Sequence, residues 1–244
     1  MNYKVNWTPP SSWTVIKSIE MHTGGEPLRV PVDGLPTIEG NSILEKRRFF
    51  RDNYDHLRTS LMFEPRGHAD MYGAILTESL SEGSDFGTFF IHNEGYSTMC
   101  GHAIIALTKL AIETGIVKDK TELTIDAPPG IIRSKATIVD GQVVETSFLN
   151  VPSFLLYRDE VIEVDGIGNV KFDVSYGGAF YALVDADDLN LPMTAANYNQ
   201  LIDWGKRIKK AVMETYEIKH PFEEDLSFLY GTIFTGKAHT PGNH

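Results

Sequence analysis

The segment from Cys100 to Thr114 constrains the fold more than any other stretch of the chain. Ala103, Ile104, Ile105, Ala106, Leu107, Leu110, Ala111 and Ile112 recur at helical spacing without being confined to one stripe. A helix that is apolar nearly all round cannot lie on a sheet with one side in water; it belongs at the centre of a domain with strands around it. Gly115 stands at the C′ position, where a left-handed backbone ends a helix without steric cost. The pattern therefore predicts a buried helix over 100–114 and enough short strands to enclose it.

Strand patterns lie on both sides of that helix. Trp13–His22 alternates and runs into Thr23-Gly24-Gly25-Glu26-Pro27, a tight turn followed by a short strand through Leu28, Val30 and Val32. Ile43, Leu44, Arg47, Phe50, Tyr54, Leu57 and Leu61 predict an amphipathic helix with Glu45, Lys46, Arg48 and Arg51 on its outer side. Strands are expected at 71–77 and 86–92, and again at 131–139, 143–149, 161–164, 170–174, 179–184 and 226–235. Thr194 can cap a second amphipathic helix carrying Tyr198, Leu201, Ile202, Ile208, Val212 and Tyr216, on which Lys206, Arg207, Lys209 and Lys210 read as a solvated face. Gly236–His244 has no pattern and is expected to fray. Many short strands around few helices argue for an α+β fold. The strongest punctuation, Asp126-Ala127-Pro128-Pro129-Gly130, suggests a boundary between domains at 1–125 and 126–244. The second half has no counterpart to the Cys100 helix.

Composition narrows the function classes. A net charge of −11 and a pI near 5.1 give no general attraction to nucleic acid or anionic lipid. No apolar run approaches the ~20 residues of a membrane span, and the first ten residues show neither a signal peptide nor a transit pattern. With one cysteine, an internal disulfide and a cysteine-based zinc cluster are both out, and a cytoplasmic setting is expected.

That cysteine is the first chemical candidate. Buried free cysteine is usually packing, but Cys100 opens a buried helix, where free N–H groups and the macrodipole favour negative charge. A thiolate there would have a lowered pKa and could serve as base or nucleophile. Gly101 would leave its backbone open to an approaching atom, and the N–H groups of Gly101, His102 and Ala103 suit a carboxylate. Helical geometry would point the His102 side chain away from Cys100, making it a poor base for it; His22 and His68 are other candidates. Two polar, glycine-bearing segments, Met21–Pro27 and Glu64–Gly73, have the composition of turns and equally of cleft walls. There is no metal-ligand spacing and no nucleotide fingerprint, so a reaction run by side chains without a cofactor is the inference.

Met21-His22-Thr23-Gly24-Gly25-Glu26-Pro27, Glu64-Pro65-Arg66-Gly67-His68-Ala69-Asp70-Met71-Tyr72-Gly73 and His92-Asn93-Glu94-Gly95-Tyr96-Ser97-Thr98-Met99-Cys100-Gly101-His102 resemble the proline racemase family. The likeness runs from Trp13 to Ile233 and takes in Ser175–Tyr181 and Asp225–Thr232. It implies a diaminopimelate-epimerase-like fold: two similar domains, each a mostly antiparallel sheet wrapped round a central helix, with the ligand between the two helix N-termini and no cofactor. It also implies that Cys100 removes the substrate's α-proton while Gly101 and His102 hold the carboxylate. Members that racemise proline or epimerise hydroxyproline use a second cysteine on the opposite face. Members that dehydrate trans-3-hydroxy-L-proline to pyrroline-2-carboxylate carry threonine or serine there. The lone cysteine suits the dehydrating hydro-lyases, with proline racemase or hydroxyproline epimerase as the alternative. The implied partners are a small-molecule substrate and a second copy in a homodimer, without nucleic acid, membrane or metal.

This sequence departs from the family pattern beyond Ile233, where members carry a second central helix opened by the second catalytic residue. Phe234-Thr235-Gly236-Lys237-Ala238 resembles a segment from further downstream, as a splice variant or an incomplete gene model would produce. The expectation is a second domain without its central helix, with low stability and little or no activity. The reading from another class is a truncated, non-catalytic chain that at most binds substrate or a partner.

Overall fold

A computed structural model of the chain describes residues 6–238, 240 and 242. The expectation of no leader falls partly, and that of a frayed end partly, on 1–5, 239, 241, 243 and 244, which lie outside the described residues. The chain forms two compact units, Met1–Leu149 and Asn150–His244.

The first unit begins with the hairpin β1 (Lys17–Thr23) and β2 (Glu26–Asp33), closed by Gly24 and Gly25, both at positive φ. Helix α1 (Ile43–Met62) follows; Ser42 Oγ accepts from the Glu45 N–H at its start. Then come β3 (Tyr72–Thr77), β4 (Phe86–His92), β5 (Gly95–Ser97), helix α2 (Gly101–Glu113), β6 (Glu122–Ala127), β7 (Gly130–Val139) and β8 (Gln142–Leu149). One sheet runs β1-β2-β3-β4-β6-β7-β8, with β5 added on β4. The β2–β3 and β4–β6 pairs are parallel and the others antiparallel.

Helix α2 is buried as its composition demands: Ala103, Ile104, Ala106, Leu107, Leu110 and Ala111 are enclosed, and it packs on β1, β2, β7 and β8. Its one buried polar side chain, Thr108, donates to the Ile104 carbonyl and lies in hydrogen-bond contact with Ser134 Oγ at 2.8 Å, so the all-round apolar surface is broken only where a partner waits. Helix α1 packs its apolar face, with Phe50, Leu57 and Leu61, against Ile75, Phe89 and Ile91 of the sheet.

Two expectations are corrected here. Lys46 is not on an outer face: it is 3% exposed, with Nζ donating to the Ile38 carbonyl and paired with Glu78 at 2.8 Å. A long stem can bury its methylenes while the ammonium keeps partners, and periodicity alone does not register that. Asp126–Gly130 is not a domain boundary but the turn between β6 and β7, with Ala127 opposite Gly130; the division falls at 149/150. Proline and glycine mark a hairpin turn as strongly as a linker. Strands β5 and β6 had no expectation at all.

The second unit contains β9 (Phe154–Val164), β10 (Gly168–Tyr176), β11 (Phe180–Asp185), helix α3 (Tyr198–Thr215) and β12 (Leu229–Thr235), in the sheet order β12-β11-β10-β9. Because β11 and β12 are parallel, α3 is the crossover between them. It buries Ile208 and Val212 against the sheet, while Arg207 pairs with Asp203 and Lys210 with Glu214 at its exposed face. Asn197 rather than Thr194 precedes the helix; Thr194 opens a single 3₁₀ turn at Ala195–Asn197 and donates to Asn197 Oδ1. Apart from such single turns, α3 is the one helix among the described residues of this unit. It is amphipathic, unlike α2.

Candidate active site

Cys100 is the residue immediately before α2, with extended φ −147° and ψ 102°. The thiol is 6% exposed. The N–H of Ile104 is the first to find an intrahelical acceptor, the Cys100 carbonyl, which leaves the N–H groups of Gly101, His102 and Ala103 pointing out of the helix end. The sulfur does not cap the helix with a hydrogen bond of ordinary geometry.

Two remote segments converge on this helix end. Thr23, at the end of β1, donates its hydroxyl to the His102 carbonyl at 2.9 Å. The His102 ring also reaches the Pro27 carbonyl, with the Glu26 carboxylate nearby. Tyr72, opening β3, presents its ring to the edge of His102 at 5.1 Å and stacks on His92 at 5.2 Å, with an interplanar angle of 23°. Both polar, glycine-bearing segments singled out in the sequence therefore contribute a residue. The pairing of Thr23 and Tyr72 with His102 had no local signal, since both contacts cross long stretches of chain.

His102 corrects an expectation. Cys100 Sγ lies 3.3 Å from its Nδ1 and 3.7 Å from its Nε2. The expected divergence assumed that Cys100 is helical; its extended backbone turns the thiol back toward the residue two positions on. The other two candidate histidines stay apart from the thiol in role: exposed His22 accepts from the Gly25 N–H and exposed His68 from the Asp70 N–H, each within its own turn.

The thiol's acidity is a second correction. Burial, opposed by the N–H groups of Ala103 and His102 and reinforced by the Glu26 carboxylate, pushes the Cys100 pKa up to about 12. Loss of solvation outweighs the helix terminus here. Burial likewise holds the His102 pKa below its ordinary value, against the Pro27 carbonyl and Glu26, so the imidazole is neutral. Gly101 is not open on every side either: a Cβ there would sit 3.1 Å from Cζ of Phe148, whose ring comes in from β8. A side chain at 101 would require that ring to give by a few tenths of an ångström. Among the described residues, no three His, Cys, Asp or Glu side chains are placed to hold a metal ion, and no helix is long and apolar enough to cross a membrane.

A mostly antiparallel sheet wrapped round a buried helix is an epimerase-like fold. The chain matches the proline racemase family over residues 18–244 and belongs to it. It is 52% identical over 234 residues to trans-3-hydroxy-L-proline dehydratase of Colwellia psychrerythraea, which covers 93% of this chain and 66% of that relative. It is 43% identical to the protein of the same name in Homo sapiens, over 91% of this chain and 64% of that one. The chain thus spans about two thirds of the length of these relatives. Among solved structures, a probable proline racemase from Agrobacterium radiobacter with bound carbonate superposes with a TM-score of 0.85 at 29% identity, over 90% of this chain and 66% of that one. A hydroxyproline epimerase from Agrobacterium vitis shares the fold, with the same TM-score and coverage at 24% identity.

Proposed function

We propose that this protein belongs to a cofactor-independent hydro-lyase that dehydrates trans-3-hydroxy-L-proline to pyrroline-2-carboxylate, with Cys100 as the catalytic base and Gly101 and His102 as the carboxylate site. The observation that carries the reading is the thiol set at the mouth of three outward-pointing N–H groups, beside an imidazole at 3.3 Å. Similarity to relatives named as dehydratases favours this substrate over proline racemisation or hydroxyproline epimerisation.

In this reading the substrate carboxylate takes the N–H groups of Gly101 and His102, where the helix end favours negative charge. His102, neutral by burial, accepts the thiol proton, and the cationic ring nitrogen of the substrate stabilises the thiolate that forms. The sulfur then takes the α-proton. The electrons of that C–H bond form the C2=C3 double bond, the C3–O bond breaks, and the leaving hydroxide takes the proton that His102 received from the thiol and departs as water. A dry site with preorganised donors is what so weak a carbon acid requires. A cytoplasmic setting suits a chain whose single thiol must stay reduced.

The test is incubation of the purified chain with trans-3-hydroxy-L-proline. Formation of pyrroline-2-carboxylate, slow beside that of a full-length relative and lost in Cys100→Ser, is the expected result. Undiminished turnover in that variant removes Cys100 from the chemistry. Interconversion of proline or hydroxyproline epimers without loss of water supports the racemase or epimerase reading instead. Binding of pyrrole-2-carboxylate without turnover supports the non-catalytic reading.

A further inference from the structure

Helix α1 changes direction at Tyr54, whose φ −132° and ψ 20° are not helical. The segment after this kink carries Asp55 and Arg58. Arg58 is 7% exposed, and its guanidinium makes four hydrogen bonds: Nε and NH2 fork onto the two Asp55 oxygens at 2.6 and 2.9 Å, and NH1 reaches the carbonyls of both His92 and Asn93 at 2.8 Å. Its planar face lies over the rings of Phe63 and Tyr96, 5.7 and 5.6 Å from their centroids. The Tyr96 hydroxyl donates to Asp55 Oδ1 at 2.8 Å. Asn93 adds Nδ2 to the Met62 carbonyl at 2.9 Å.

The residues held in this way form one hairpin. β4 and β5 turn at Asn93 and Glu94, with His92 opposite Gly95 and Ile91 opposite Tyr96. Arg58 grips the turn from the end of β4, and Tyr96 ties β5 back to the same ion pair. Three residues beyond β5 the chain reaches Cys100, past Ser97, whose buried hydroxyl donates to the Met99 carbonyl at 2.7 Å. His92 beside the turn stacks on Tyr72, which in turn meets His102. A buried guanidinium that satisfies a carboxylate and two backbone carbonyls at once is a geometric clamp, because its fork is rigid.

We infer that Arg58, with Asp55 and Tyr96, is a positioning residue for the Cys100 site: it clamps the β4–β5 hairpin and thereby fixes where α2 begins and how closely its thiol is enclosed. The inference deepens the reading of Cys100 as a base and rests on it for its meaning in catalysis, but the clamp can be tested without any substrate. Burial is the largest influence on this thiol, so a loosened hairpin that admits water makes the thiolate easier to form.

The readout is the pH dependence of iodoacetamide alkylation, measured on the full chain below its melting temperature. Cys100 is the only cysteine, so every labelled molecule reports it. Arg58→Lys keeps a charge for Asp55 but cannot fork a carboxylate and also bridge two carbonyls. Tyr96→Phe removes one hydroxyl without changing ring volume and keeps the test open should the lysine variant not fold. Phe50→Leu, in the core of the same helix, is the control for a loss of stability alone. The expected result is a profile moved to lower pH in Arg58→Lys and, less so, in Tyr96→Phe, with alkylation at about pH 8 raised roughly threefold or more, while Phe50→Leu keeps the wild-type profile. A profile that is unmoved or moved to higher pH in the clamp variants, or moved equally in Phe50→Leu, overturns the inference. Failure of the dehydratase reading shows up separately, as absent turnover with the thiol profiles still distinct.

Discussion

The sulfur of Cys100 lies 3.3 Å from Nδ1 of His102, although the two residues are separated by a single glycine. The approach is possible because Cys100 keeps an extended backbone while His102 is already in the first turn of α2. His102 is itself oriented by contacts from β1, from the Pro27 carbonyl and from Tyr72. The buried thiol thus has the imidazole as its nearest polar side chain, with the donor and acceptor roles set by the ring's tautomer.

The first prediction concerns that pair. His102→Phe keeps an aromatic edge against Tyr72 and removes both ring nitrogens. Alkylation of Cys100 at about pH 8 is expected to slow, by about tenfold if the lost partner is worth one pKa unit. This is opposite in sign to loosening the hairpin, because here the thiol stays buried and loses a polar neighbour. An unchanged rate would show that the imidazole is only a neighbour.

The second prediction is alkaline lability. Burial raises the pKa of Cys100 from 9.0 to about 12 and that of the Tyr176 hydroxyl from 10.0 to about 12. In the unfolded chain both groups lose their protons at the lower values, so the unfolded state holds fewer protons across this window. Their contribution to stability is whole below about pH 9 and is lost as the pH climbs toward 12. Urea midpoints should fall between about pH 8 and pH 11, and Cys100→Ala should flatten the thiol's share of the slope. A midpoint constant over that range contradicts the burial of both groups.

The third prediction tests Asp126, whose segment forms a hairpin turn. Asp126 Oδ2 accepts from the N–H groups of Leu80 and Ser81 at 2.8 and 3.1 Å. Burial raises the carboxyl's pKa, but the hydrogen bonds from Ser81, Leu80 and Ser84 outweigh it and hold it below its usual value. Its stabilisation is therefore present above the unfolded carboxyl pKa of 3.8 and fades as the pH falls through the folded value. Asp126→Asn should cost about 1–3 kcal/mol near neutral pH, read from the urea midpoint, and should remove that acid-side slope. A neutral effect would mean that the loop at 80–81 does not depend on this carboxylate.

How far the sequence could be read depended on the range of the interaction. The strands at 71–77 and 86–92 and the helix at 43–61 were legible because alternation and three-to-four spacing record which side of a segment is buried. β6 was not, because Pro128, Pro129 and Gly130 after it signal a change of direction without saying whether the next strand pairs back; here Glu122 lies opposite Lys135. The burial of Lys46 is not legible in the sequence, because a lysine's charge says nothing of where its methylenes pack.

By itself the sequence determined the buried helix α2, since residues apolar on every side have no stable place except inside a sheet. It also determined that a cysteine stands at that helix's N-terminus and that three long motifs place the chain in the proline racemase family. Only the tertiary structure decided what surrounds the thiol. Thr23 reaches His102 across 79 positions, Arg58 reaches Asn93 across 35, and Phe148 closes on Gly101 from the last strand of the sheet. The same packing reversed the sign of the thiol's pKa shift, because solvation is lost to every neighbour at once whereas the helix end acts only along the local chain. Local pattern encodes which faces are buried; which distant residues then meet is set when the sheet closes around the helix.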